Sequence, residues 1–289
     1  MPSSIAQPTP IPHFALGEVY DRRRDIHGPY GGSFQSGIAP SSVADAIFIF
    51  TGDTGGQYGY ADQEELDAQG VRSFSYTGEG QIGDMEFVRG NRAILEHSND
   101  GRALHLFQSL GKSKGQKYLG EFVYAGHKFM LGPDRNGDIR RLIVFRLVAV
   151  ADARAIEDAV GDDDANSTIR MTLADARRIA LAAAAGGATP AKESAARTLY
   201  VRSKAVRDYV LMRAAGRCEL CDQPAPFIRK NGTPYLEPHH TTRVSDGGPD
   251  HPKFVGAVCP TCHRELHFGV EGEAKNAALQ ERLSTLERE

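Results

Sequence analysis

All four cysteines of the chain fall in two C-x-x-C hooks, Cys218/Cys221 and Cys259/Cys262, which bracket the pair His239-His240 and run directly into His263 and His267. A two-residue spacer lets both sulfurs of a hook reach one ion, so the four thiolates make a closed tetrahedral set for structural zinc. Disulfides are the alternative use of four cysteines; with no signal peptide in view, zinc is the favoured reading. His263 and His267 stand one helical turn apart and can share an ion. Because sulfur already completes the zinc set, the histidines are left for a second divalent metal, the one expected to do chemistry.

The segment between the hooks must position these groups. Tyr235-Leu236 leads through a polar step to His239-His240. The turn-rich stretch Ser245-Asp246-Gly247-Gly248-Pro249-Asp250 follows, and the apolar run Phe254-Val255-Gly256-Ala257-Val258 reaches the second hook. This pattern predicts strand, loop, strand, helix, with Pro260 in the first helical turn.

C-x-x-C, H-H, then C-x-x-C-H-x-x-x-H resembles the zinc-containing HNH (ββα-metal) nucleases. The resemblance implies that His239 and His263 hold a divalent metal (Mg2+, Mn2+ or another), with His267 as a further ligand, and that His240 is the general base for the attacking water. It also implies 5′-phosphate products. An imidazole with a pKa near ~6.5 suits proton abstraction at neutral pH. Phe254 stands where that family has an Asn that braces the loop carrying the base, so bracing is expected from elsewhere or activity is reduced.

The 289 residues suggest about two domains, and 40% hydrophobic with 25% charged residues fit a soluble globular protein. No apolar run approaches the ~20 residues needed to span a bilayer, so a cytoplasmic location without membrane partners is expected. The net charge of -3 argues against a uniformly basic surface. Basic residues nonetheless gather from Arg197 through Arg202, Lys204, Arg207, Arg213 and Arg217 to Arg229 and Lys230, read as a solvated face or a phosphate track.

Residues 1–13, rich in Pro and Ser, read as a mobile arm. From 14 to 150, short β-type runs are punctuated by glycine: 46–50, 72–77, 117–123 and 142–147 read as strands, and Asn91–His97 and Leu104–Ser109 as short helices. Three polar, glycine-flanked stretches stand out, 31–38, 58–62 and 76–80. Glycine admits close backbone approach, tyrosine stacks on planar rings, and Asp accepts from amino groups.

The order of these pieces resembles SRA (YDG) domains, which flip a modified cytosine out of duplex DNA. The resemblance implies a pocket in which Tyr60 and Tyr76 sandwich the base, Asp62 reads its amino edge, and Thr77 and Gly78 form the wall. It also implies that Gln35, Ser36, Gly37 and Ile38 form the loop entering the DNA groove.

Residues 151–198 read as a helical linker, with Thr172 capping a helix over Leu173–Ala184. A helix over Leu199–Ala215 opens the 199–270 nuclease segment. The 271–289 tail reads as a helix whose Leu279, Leu283 and Leu286 pack on the domain or serve a homodimer contact. The expected fold is α+β: an SRA-like curved β-barrel with flanking helices, the helical linker, and a zinc-stapled ββα-metal HNH domain. The expected function is a modification-dependent restriction endonuclease acting on double-stranded DNA bearing 5-methylcytosine or 5-hydroxymethylcytosine. The alternatives are a reader with an impaired nuclease, or an HNH nuclease reading another mark such as phosphorothioate.

Overall fold

The computed structural model describes residues 10–52, 62–66, 72–152, 171–185, 195–241 and 251–288. The chain divides into two compact units: residues 1–65, 73–97 and 102–149 form the first, and 66–72, 98–101 and 150–289 the second. No helix among the described residues is long and apolar enough to cross a membrane.

The first unit is built on β1 (Val19–Tyr20), β2 (Ile38–Pro40), β3 (Ala46–Thr51), β4 (Gln63–Leu66), β5 (Arg72–Thr77), β6 (Ala103–Ser109), β7 (Gln116–Pro133) and β8 (Ile139–Ala149), with helix α1 (Arg89–Glu96), save that the terminal residues Leu66 and Arg72 group with the second unit. The sheet order is β2-β3-β6-β7-β8-β5-β4, with β1 paired to β7. β3 and β6 run parallel, whereas β6-β7, β7-β8 and β5-β8 are antiparallel.

Two expectations are corrected here. The sheet is open, with β2 and β4 at its ends, and not a closed barrel. Leu104–Ser109 is strand β6, not a helix; a short apolar run fits either state until neighbours decide, and β3 and β7 flank this one.

Strand alternation explains why β3 is buried along its whole length. Ile47 and Ile49 enter one cluster with Phe74, Tyr76, Leu104, Leu106 and Phe145, while Ala46, Phe48 and Phe50 enter another with Ile26, Phe107 and Tyr118. The register of the long β7 shifts against β6 near Gly120 and against β8 near Gly126, and both glycines have positive φ (121° and 122°), which glycine adopts without the strain a side chain would bring.

The second unit contains α2 (Leu173–Ala185), α3 (Ala195–Ala214), the antiparallel pair β9 (Glu237–His240) and β10 (Val255–Val258), α4 (Pro260–Phe268) and α5 (Gly272–Leu286). The Thr172 hydroxyl accepts from the Asp175 N–H at 3.1 Å, capping α2 as its sequence predicts. α3 starts four residues earlier than expected. Leu279 and Leu283 of α5 are buried, and both abut Gly256 of β10. Leu279 and Leu283 of the tail stripe thus pack within their own unit, whereas Leu286 is exposed.

Candidate functional site

In the first unit, Asp62 joins the ends of two strands. Its Oδ2 accepts from the Thr51 hydroxyl at 2.7 Å and its Oδ1 from the Thr77 N–H at 2.8 Å. Burial raises the Asp62 pKa, and the Thr77 and Thr51 hydrogen bonds only partly offset it. The Thr77 side chain hydrogen-bonds the same carboxyl group. Tyr76 is 5% exposed, lies in the main core cluster, and points its hydroxyl at the Phe50 carbonyl 3.5 Å away. Tyr60 lies outside the described residues.

Gly78 has a steric reason to be glycine: a Cβ there would lie 2.6 Å from Asn91 Oδ1. The fully buried Asn91 of α1 accepts from the Glu79 N–H at 2.8 Å and donates to the carbonyls of Glu79 (2.8 Å) and Glu86 (2.9 Å). Glu79 Oε1 in turn accepts from the Gly90 N–H at 2.8 Å. This lock on the 77–79 turn was not legible in the sequence, where Asn91 marks only the start of a helix.

The loop before β2 exposes Gln35 and Gly37. Arg22 donates to the Ser36 carbonyl and lies 3.6 Å over the Phe50 ring; burial lowers its pKa to about 10, so it stays cationic at neutral pH. Arg23 stacks 4.2 Å over Phe34, which is 42% exposed. Ile38 is a correction: it is 2% exposed, opens β2 and packs in the core, so the exposed part of the loop includes Phe34 and excludes Ile38.

In the second unit, one candidate ligand atom from each of Cys218, Cys221, Cys259 and Cys262 lies within 4.8 Å of the others. The Cys259 N–H donates to Cys218 Sγ (3.2 Å) and the Cys262 N–H to Cys259 Sγ (3.5 Å), the second bond capping α4. Burial opposes ionisation of Cys218, but N–H donors from Cys221, Cys259 and Leu220 outweigh it and lower the pKa. Burial and the neighbouring sulfurs push the Cys262 thiol up. Donors aimed at sulfur, with mutual repulsion that a cation would relieve, fit a structural metal such as zinc.

His239, His263 and His267 form a second group, again with one ligand atom each within 4.8 Å. The ring centroids are 5.2, 5.1 and 4.9 Å apart. Alternation along β9 puts Glu237 and His239 on one face. Glu237 Oε2 lies 2.6 Å from His263 Nδ1, leaving His263 Nε2 to face His267 Nε2 at 3.2 Å. Burial lowers the His239 pKa to about 4, keeping that ring neutral, as metal ligation needs. A carboxylate behind one imidazole and two nitrogens facing each other suit a divalent cation. His240 is the next residue on β9, half-buried and paired with Val255 in the ladder; its ring is not part of the group.

One partner of this site and one clamp on the neighbouring strand were not foreseen. Asn276 of α5 contacts both His239 Nε2 (3.0 Å) and the Thr241 carbonyl (2.6 Å). Arg213 belongs to the basic run, yet it is buried. It bonds Glu219 through two nitrogens (2.8 and 2.9 Å), Glu287 (2.7 Å) and the Val255 carbonyl (2.9 Å), while Glu219 accepts from the Ala257 N–H (2.7 Å). Arg213 therefore clamps β10 instead of tracking phosphate. Arg217 is likewise paired, with Asp222. The turn at 245–250 lies outside the described residues.

A model of the family described as ScoMcrA-like, SRA domain matches residues 16–160, about half of the chain. A curated protein from Escherichia coli (strain K12), the type IV methyl-directed restriction enzyme EcoKMcrA, is 32% identical over 125 residues, covering 43% of this chain and 45% of that protein. The chain thus spans less than half the length of that relative. Among solved structures, the type IV phosphorothioation-dependent restriction endonuclease ScoMcrA is 23% identical, covering 96% of this chain and 64% of that one, with a TM-score of 0.39. The modification-dependent TagI restriction endonuclease is 22% identical, covering 90% and 80%, with a TM-score of 0.36.

Proposed function

The chain belongs to the ScoMcrA-like SRA domain family, and from that premise we propose that it is a modification-dependent restriction endonuclease whose first unit reads a modified cytosine and whose second unit hydrolyses the DNA nearby. The observation that carries the nuclease half is the convergence of His239, His263 and His267 within 4.8 Å, beside His240 and joined by the β9-β10-α4 segment to the four-cysteine group. The methyl-directed relative supports a methylated base as the mark.

In the first unit, flipping a base costs a few kcal/mol of unstacking, which an enclosing pocket offsets. Asp62 accepts from the exocyclic amino group, the turn at Thr77 and Gly78 forms the wall, and Tyr60 and Tyr76 supply the aromatic faces. Phe34, Gln35 and Arg23 occupy the space the base vacates, and Arg22 holds their loop in place.

In the second unit, Cys218, Cys221, Cys259 and Cys262 hold structural zinc. A divalent ion on His239, His263 and His267 would neutralise charge on the scissile phosphate and on the leaving oxygen. Glu237 orients His263 and makes it a better ligand. His240 takes the proton of the attacking water as the water oxygen bonds to phosphorus. The bond from phosphorus to the 3′ oxygen breaks, leaving a 5′-phosphate.

The reading half is tested by mobility shift with matched duplexes carrying cytosine, 5-methylcytosine, 5-hydroxymethylcytosine or a phosphorothioate linkage. Preference for a modified cytosine that disappears in Asp62→Ala supports the account. Preference for the phosphorothioate duplex alone would transfer the reading to the backbone mark.

A further inference from the structure

We propose that Asn276 is the positioning residue of the histidine site: one side-chain amide fixes which nitrogen of His239 carries the proton and holds the strand end that bears His240. The inference rests on the nuclease reading above and deepens it.

The geometry leaves little freedom. The Thr241 carbonyl can only accept, so the Asn276 group 2.6 Å from it is Nδ2. That choice turns Oδ1 toward His239 Nε2, 3.0 Å away. An amide oxygen can only accept as well, so Nε2 carries the hydrogen, and the neutral ring presents Nδ1 as its lone pair. His239 therefore enters the three-histidine group as an Nδ1 ligand, just as Glu237 at His263 Nδ1 fixes Nε2 as the ligand atom there.

The same amide spans residues 239 and 241 and so brackets His240. Thr241 is tied on its other side as well, its N–H and hydroxyl both donating to the Phe254 carbonyl at 2.8 and 3.2 Å. Asn276 is itself held in place, because Leu279 one turn along α5 abuts Gly256, the ladder partner of His239. The Phe254 carbonyl thus ties Thr241 from one side, and the Asn276 side chain of α5 braces it from the other.

The test is Mn2+ binding by the zinc-loaded 289-residue chain, read by electron paramagnetic resonance, with His263→Ala as the baseline for the histidine site. Kinetics on modified duplex are measured in parallel. Asn276→Ala is expected to weaken Mn2+ binding about 10–100-fold, as loss of a ligand's hydrogen-bond partner does, with kcat lowered and KM for DNA unchanged. Asn276→Asp keeps the acceptor for His239 but loses the donor to Thr241, so it should restore Mn2+ binding while kcat stays low. Mn2+ affinity in Asn276→Ala within about twofold of wild type would overturn the proposal. Should the alanine variant fail to fold, the aspartate variant decides: retained Mn2+ binding with lowered kcat supports the proposal, and unchanged kcat overturns it. Wild type binding no more Mn2+ than His263→Ala would instead overturn the metal-site reading on which the proposal stands.

Discussion

Glu237 Oε2 sits 2.6 Å from His263 Nδ1, two residues before His239 on the same strand face. β9 therefore supplies both one imidazole of the histidine group and the carboxylate that orients another. Glu237→Ala is expected to lower divalent-metal affinity about 10–100-fold, with a smaller loss in Glu237→Gln, which can still hydrogen-bond His263. Calorimetric titration with Mn2+ checks this; equal affinity in all three proteins would remove Glu237 from the site.

Gly78 is predicted to tolerate no side chain. A Cβ would come within 2.6 Å of Asn91 Oδ1, and Asn91 is buried and bonded on all sides. Gly78→Ala should cost about 1–3 kcal/mol of first-unit stability through overpacking and should abolish preference for modified DNA. Denaturant melts with mobility shifts measure both effects.

Zinc should be required for the second unit. Its core cluster includes Cys218 and Cys262 with Leu236, Val258 and Leu266, so a metal holding the sulfurs also holds that core. Metal analysis should find zinc in the wild type and less in Cys218→Ser. Chelation should make 199–270 protease-sensitive while leaving the sheet of the first unit intact. Protease resistance unchanged by chelation would contradict a structural metal.

Acid should weaken the first unit. His105 is buried, its ring 2.9 Å from the Tyr118 hydroxyl, and burial lowers its pKa from the ordinary 6.5 to about 3. Between those values the unfolded chain binds the proton and the folded one does not. The contribution is therefore complete above about pH 6.5 and is lost as pH falls toward 3. The melting temperature of the first unit should drop between pH 7 and pH 4, and drop less steeply in His105→Gln.

What was legible in the sequence depended on how local each signal was. The cysteine hooks and the helix that starts at Pro260 are short-range patterns, and the structure shows the four cysteines grouped and the helix at Pro260–Phe268. The resemblance to SRA domains points to Asp62, Thr77 and Gly78, but the buried Asn91 that holds the 77–79 turn becomes visible only when α1 meets it. Arg213 looked like one cation in a basic run because Glu219, Glu287 and the β10 carbonyls converge on it only in the folded unit. Asn276 was hidden for the same reason: its partners lie 35 and 37 residues away. Closure of the sheet was the expectation least supported by local pattern, since curvature from the β7 bulges does not require the edge strands to meet.

The central claim is modification-dependent cleavage, and the most direct measurement is metal-dependent cutting of matched duplexes carrying cytosine, 5-methylcytosine or 5-hydroxymethylcytosine, with His240→Ala alongside. The account predicts that, with Mg2+ or Mn2+, only duplexes with a modified cytosine are cut, leaving 5′-phosphate ends, and that His240→Ala still binds them but does not cut. Equal cutting of all three duplexes, or full activity in His240→Ala, would contradict it.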